Sequence, residues 1–145
     1  MSPFETPVKL RRPLEWTLIL LLWFVAIGAL YGGAQLVIAP DGSRMNMRLA
    51  WLVETPFMDY FVPGLILMVI VGGGHALIGW TVLRGWRTAW KLALGAGLSL
   101  VIWIVVQMLM LHTHNGLQLT YLGFGSIECA LAAAVKLLKS SRAFR

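Results

Sequence analysis

Cysteine occurs once in the 145-residue chain, acidic residues occur six times, and charged residues of any kind make up only 12%. Each scarcity excludes something. With Cys129 as the lone thiol, neither an internal disulfide framework nor a multi-cysteine metal site can be built. So little charge against 59% hydrophobic residues leaves too little polar surface to coat a soluble domain, where about 25% charged and about 45–50% apolar is usual. The chain also lacks a Gly-x-Ser-x-Gly elbow, a phosphate-cradling Gly-Lys-Ser/Thr run, a His-Glu-x-x-His pair and paired catalytic carboxylates. Hydrolase, NTPase and metalloprotease chemistries therefore lack their residues.

What is present is apolar sequence in long runs. A helix rises about 1.5 Å per residue, so about 20 apolar residues cross a hydrocarbon layer of about 30 Å. Four segments meet that length: about Trp16 to Ile38, Tyr60 to Leu83, Ala89 to Leu111, and Leu117 to Leu138. They nearly exhaust residues 1–145, so the expected fold is all-α: a single membrane domain forming a transmembrane four-helix bundle. A cleaved signal peptide is a rival reading of the first segment, given its basic start and the small-residue run Gly32-Gly33-Ala34. A retained first helix is the reading adopted.

The net charge of +6 raises the question of nucleic acid, but its distribution answers otherwise. Lys9, Arg11, Arg12, Arg84, Arg87, Lys91, Lys136, Lys139, Arg142 and Arg145 fall in segments that alternating topology places on one side. Only Arg44 and Arg48 fall on the other. The positive-inside rule reads this asymmetry as orientation, with both termini cytoplasmic. A multi-pass protein of a bacterial inner (cytoplasmic) membrane is expected, with no nucleic-acid partner.

The connections add detail. Pro40-Asp41-Gly42-Ser43 is a turn signal opening a long external connection to about Asp59. Within it Met45, Leu49, Leu52 and Val53 share a helical face opposite Arg44 and Arg48, which predicts a short interfacial helix between helices 1 and 2. Asp59 is placed to cap the second span, and Pro63 suits its first turn. Gly72-Gly73-Gly74 weakens that helix just before His75, where it can kink or admit a close neighbour. Arg84-Gly85-Trp86-Arg87 is a tight connection that makes spans two and three antiparallel neighbours. The outer turn between spans three and four holds His112 and His114, which read as solvated loop residues, since two ligands alone make only a weak surface metal site or pH sensor.

The residues Thr55-Pro56-Phe57, Asp59-Tyr60 and Pro63-Gly64-Leu65, with Trp103-Ile104, Gln107, Leu117-Gln118, Tyr121 and Gly123, resemble a group of small bacterial integral membrane proteins of unassigned activity. The resemblance runs from about Asp41 to Leu131, is most specific at the Thr-Pro-Phe-x-Asp-Tyr-x-x-Pro-Gly entry to the second helix, and implies a four-helix fold. In layout the chain is also similar to the DoxX-like four-helix proteins, which implies quinone or sulfur redox company. His75 and Glu128 stand where the first group carries apolar residues, so a function built on them would be this chain's own.

Ionisable groups inside a span are costly and usually face the bundle interior, which singles out His75 and Glu128. Similar depths would let them meet if helices two and four adjoin, as a proton relay, a ligand-orienting unit or a simple interhelical polar pair. They are the candidate cofactor-binding residues, with quinone the ligand class. Haem is a remote alternative, because His75 is deep and His112 and His114 lie at the rim, so no one haem is clasped between them. Gly28 and Gly32 have the Gly-x-x-x-Gly spacing of close helix contacts. With Gly72, Gly73, Gly74, Trp23, Trp103 and Gln107 they are the candidates for packing or partner contact.

Three functions compete. The leading expectation is a non-catalytic accessory or scaffold subunit that docks to other membrane subunits or to itself. The second is a DoxX-like redox or quinone- and lipid-handling protein using His75 and Glu128. The third is an oligomeric channel or transporter, for which the spans offer few polar positions. No catalytic residue and no metal site is expected.

Overall fold

The computed structural model describes residues 6–111 and 115–140, and among these it is all-helical. Four long helices form the bundle: α1 (Thr6–Ile38), α2 (Phe61–Leu83), α3 (Ala89–Leu111) and α4 (Gly116–Ser140). All four contain stretches long and apolar enough to cross a membrane. The expected third span coincides with α3, and the second and fourth agree to within two residues at each end. The first does not.

Helix α1 begins at Thr6, ten residues before the expected Trp16, with its apolar stretch starting at Arg12. In sequence the basic, proline-bearing arm reads as a tail, but it is helical from Thr6. Pro7 falls in the first turn, where a missing N–H costs nothing, and φ is already preset for helix. Pro13 lies inside the helix, and the Thr17 hydroxyl donates to its carbonyl at 2.9 Å.

At the start of α2 the Asp59 carboxylate accepts the Phe61 N–H at 2.9 Å, as its position predicted. The helix then changes pitch. Leu67–Gly73 is π-helical between two α-helical stretches and includes the first two of the three glycines. Helix α4 opens with a reciprocal cap: Asn115 Oδ1 accepts the Gln118 N–H at 2.9 Å, and Gln118 Oε1 accepts the Asn115 N–H at 3.2 Å. This is the capping-box arrangement, satisfying two backbone donors that the helix leaves unpaired.

The helices pack in a ring, α1 against α2, α2 against α3, α3 against α4 and α4 against α1. Helices α2 and α4 are therefore across a diagonal. Two glycine pairs set the tightest approaches. A Cβ on Gly33 would lie 2.6 Å from the Gly64 carbonyl, and one on Gly97 would lie 2.8 Å from the Gly125 carbonyl. These pairs, not the expected Gly28 and Gly32, bring helix backbones together. Gly28 faces the Tyr121 side chain and Gly32 meets only Leu67 at ordinary contact distance. Gly72 does pack closely, onto Leu30 of α1, whereas nothing lies within 4 Å of a Cβ on Gly74.

The expected single interfacial helix is not formed. The α1–α2 connection contains two separate 3-10 turns, Ser43–Met45 and Leu49–Leu52. Gly42 and Asn46 flank the first turn in left-handed conformations, at φ 79° and 51°, which stops any helix from propagating through it. The proposed apolar face breaks up accordingly: Leu52 is buried while Val53 is 80% exposed. The Pro40 carbonyl accepts the Tyr60 N–H at 2.9 Å, closing the connection on itself.

Arg12, Arg84, Arg87, Lys91, Lys136 and Lys139 mark one end of the bundle, hereafter the basic end, and the long connection marks the loop end. Lys139 pairs with Glu15 at 3.7 Å, tying α4 to α1. His112 and His114, with Arg142 and Arg145, lie outside the described residues. Three clusters fill the interior in succession: Leu18, Leu22, Ala93, Ala96 and Ala132 toward the basic end; Val25, Ala29, Val71, Leu100 and Ile104 in the middle; and Leu36, Leu52 and Tyr60 beneath the connection. Outward residues such as Leu20, Phe24, Ile27 and Ile102 remain exposed, an arrangement suited to lipid.

Candidate functional site

His75 and Glu128 meet across the diagonal of the bundle, although α2 and α4 do not adjoin as the sequence reading required. His75 Nε2 lies 3.2 Å from Glu128 Oε2, and the two residues are 1% and 0% exposed. The other imidazole nitrogen, Nδ1, lies 2.7 Å from the Val71 carbonyl. A carbonyl only accepts, so Nδ1 carries a proton. The Nε2–Oε2 contact then holds one further proton, either as imidazolium with carboxylate or as imidazole with carboxylic acid. Both forms leave the pair neutral, which is what a low-dielectric interior tolerates. Glu128 Oε1 is buried with no hydrogen-bond partner.

Because both ring nitrogens of His75 are engaged, the ring has no free lone pair to offer haem iron. Among the described residues no group of three His, Cys, Asp or Glu side chains converges as a metal site would require.

The second feature is a cavity of about 270 Å³ in the loop-end half of the bundle. It runs from Val25, Val71 and Leu100 at its floor to Met45, Met47 and Trp51 of the connection at its mouth. Small residues on α1 make room for it: Gly28, Ala29 and Gly32 all line it. Its described walls carry no charged side chain. They do carry polar side chains in Asn46, Trp103, Gln107, Asn115, Gln118 and Tyr121. Trp103 Nε1 is buried without a hydrogen-bond partner. The carboxamide oxygens of Asn115 and Gln118 each accept a backbone N–H at the start of α4. The cavity walls are thus mostly apolar, with a few indole, amide and phenol side chains among them.

The connection acts as its cover. Tyr60, 1% exposed, donates its hydroxyl to the Arg48 carbonyl at 2.8 Å, and burial raises its phenol above the ordinary 10.0. Asp41 accepts from both the hydroxyl and the backbone N–H of Ser43, and these bonds hold its carboxyl below the ordinary 3.8. Gln35 accepts from Arg44 at 3.1 Å, fastening the first 3-10 turn to α1.

The predicted residues thus divide between two places. Gly28, Gly32, Trp103 and Gln107 come together at the cavity. His75 and Glu128 do not line it. They sit below its floor and reach it through Val71, whose side chain lines the cavity and whose carbonyl takes the His75 proton. Gly72 and Trp23 are used inside the chain, the indole of Trp23 packing on Gly79. The sequence reading quoted Tyr121 and Gln118 only for the resemblance and missed the place of Tyr121 at the cavity, the reciprocal cap of Asn115 and Gln118, and the covering role of Tyr60. The Asn-x-x-Gln spacing ahead of an apolar run is a signal that would have found the second of these.

Fold and site together define a multi-pass helical membrane protein with an uncharged, largely apolar cavity inside its bundle. The chain matches no protein family, no curated protein and no solved structure.

Proposed function

We propose that the protein binds a small amphipathic molecule of the membrane, with an apolar body and a carbonyl-type hydrogen-bond acceptor at its head, the quinone class being the best fit. The observation that carries this reading is the buried, unpartnered Trp103 N–H beside a cavity whose described walls are otherwise apolar but for a few amide side chains and the Tyr121 phenol. An unmet buried donor costs about 1–3 kcal/mol, and a ligand carbonyl would recover it. Apolar walls with a few convergent polar groups are the usual make-up of a ligand site. A cavity of about 150 Å³ takes a benzene ring, so about 270 Å³ accommodates a substituted ring with the start of a tail. His75 and Glu128 serve as positioning residues that fix the π-helical segment forming the floor.

This reading agrees with the DoxX-like layout and is preferred to a docking subunit for a specific reason. Several of the small and aromatic residues that recommended docking, Gly28, Gly32, Gly72 and Trp23, are occupied within the chain itself. The positive-inside asymmetry supports an inner-membrane orientation with cytoplasmic termini, which puts the cavity in the outer half of the membrane.

The test is thermal unfolding of the full chain in neutral micelles with a decyl-substituted benzoquinone. Ligand at about 100 times its dissociation constant stabilises by about 2.7 kcal/mol. Trp103→Phe, which removes only the donor, should weaken binding roughly tenfold, equivalent to about 1.4 kcal/mol. Gly32→Leu should abolish binding by filling the space. No stabilisation of the unaltered protein, or equal stabilisation of all three proteins, would overturn the proposal.

A further inference from the structure

The basic end holds a second arrangement, unrelated to the cavity. Trp90 is half-buried one residue into α3, and two ammonium groups close on its indole: Lys136 Nζ of α4 at 4.9 Å from the ring centroid and Lys91 Nζ at 5.7 Å. The ring attracts each cation, but the cations repel one another, and the repulsion grows where water thins toward the membrane. Among the described residues neither lysine has a carboxylate within 4.0 Å. Glu15 pairs with Lys139. Asp41, Glu54 and Asp59 belong to the opposite end, and Glu128 is bonded to His75 in the core. The sequence places ten basic residues in the segments of this end against Glu5 and Glu15. Two cations from different helices therefore share one aromatic surface, with no counter-charge among the described residues.

The geometry points to a site for the phosphate head group of an anionic phospholipid, held between Lys91 and Lys136 with the Trp90 indole as its wall. Height favours a lipid over free phosphate. The apolar stretches of α3 and α4 end at Ala89 and Lys139, so both ammonium groups stand within a turn of the membrane boundary. Their aliphatic stems can follow the apolar surface while the charges reach the head-group layer. Leu92 and Leu137, both exposed, provide apolar surface beside the lysines for acyl chains that a soluble anion would leave bare. Basic clefts between membrane helices are suited to anionic head groups for the same electrostatic reason.

The test uses the full chain in nanodiscs of phosphatidylcholine doped with phosphatidylglycerol, with lipids retained after release counted by native mass spectrometry. The unaltered protein should retain phosphatidylglycerol in preference to phosphatidylcholine. Lys91→Gln with Lys136→Gln should weaken that retention on the order of thirtyfold, from about 1 kcal/mol per lysine near the surface. Arg84→Gln with Arg87→Gln removes the same charge from the neighbouring connection and should leave retention nearly unchanged. Millimolar inorganic phosphate should not displace the lipid. Equal retention of both lipids, an equal loss in the arginine pair, or displacement by phosphate would overturn the assignment. Both sites are far enough apart that failure of quinone binding leaves this result intact.

Discussion

The two halves of the bundle are built on the same four helices but to opposite ends. Toward the basic end the interior is filled, with Leu18 and Leu22 of α1 seated among Ala93, Ala96 and Ala132, and the His75–Glu128 pair bridging the diagonal just beyond. Toward the loop end the corresponding space is open, because α1 presents Gly28, Ala29 and Gly32 where larger side chains would close it. Small residues thus do different jobs. Opposite a glycine of the next helix they draw backbones together, opposite Tyr121, Gly28 admits a side chain, and Gly32, with only Leu67 nearby, leaves open space. The difference lies in what faces them, which is a property of the fold and not of the residue.

The strongest way to break this contrast is at the diagonal bridge. Removing one partner of a buried, hydrogen-bonded ionisable pair strands the other, typically at about 3–5 kcal/mol. His75→Leu or Glu128→Leu alone should therefore destabilise severely, while the double replacement by apolar residues should recover most of the loss. Glu128→Gln keeps a hydrogen-bond donor for Nε2 and should be mildest. Unfolding in mixed micelles, analysed as a double-mutant cycle, measures the coupling. Additive losses would show that the two side chains act independently. If the pair also fixes the cavity floor through Val71, the single variants that remain folded should lose quinone-induced stabilisation as well.

The second test sets one glycine of the filled contacts against one of the open wall. A Cβ on Gly97 would lie 2.8 Å from both Cys129 Sγ and the Gly125 carbonyl, so Gly97→Ala must push α3 and α4 apart. Overpacking of this kind costs about 1–3 kcal/mol. A Cβ on Gly32 meets only Leu67 Cδ2, at 3.7 Å, and alanine is the better helix former by about 0.5–1 kcal/mol. Gly32→Ala should therefore be neutral or stabilising. The same substitution is expected to have opposite signs, read from the same unfolding measurement. Equal losses at the two positions would mean that the cavity is not open in the membrane-embedded protein.

Much of this architecture is legible in the sequence. Runs of apolar residues between turn signals give the four helices because length and hydrophobicity alone decide what can cross a bilayer, and Asp59 is recognisable as the entry to α2 from its place before the run. The first turns of α1 were not legible, since a basic arm containing Pro7 and Pro13 reads as a tail even though both prolines can be housed in a helix. Gly28 and Gly32 were assigned to close packing because spacing identifies glycines on one face without revealing what that face meets. Gly33 and Gly64, the pair that does meet, are invisible without the crossing geometry of α1 and α2. His75 and Glu128 were evident as candidates, because ionisable groups in a span are conspicuous. Their contact across a diagonal, and the cavity above them, depend on the ring order of the helices, which no local pattern encodes.

The smallest expected effect concerns the cover of the open half. Tyr60 fastens the α1–α2 connection over the cavity by donating its hydroxyl to the Arg48 carbonyl at 2.8 Å, and burial holds its phenol above the ordinary 10.0. The sign follows from linkage: a group whose pKa is raised on folding contributes stability that is fully present below its unfolded value and is lost as pH rises through the folded one. The cover should accordingly be intact from neutral pH to about pH 10 and loosen above it. Tyr60→Phe keeps the ring and removes the bond, for a loss of about 0.5–1.5 kcal/mol. That loss should be local, with the connection exchanging its amide hydrogens faster while those of Leu18 and Ala93 in the filled half stay protected. The variant should also lose the alkaline loosening, because the group that titrates is gone. Retention of that alkaline response in Tyr60→Phe would assign it to another group and remove Tyr60 as the fastening of the cover.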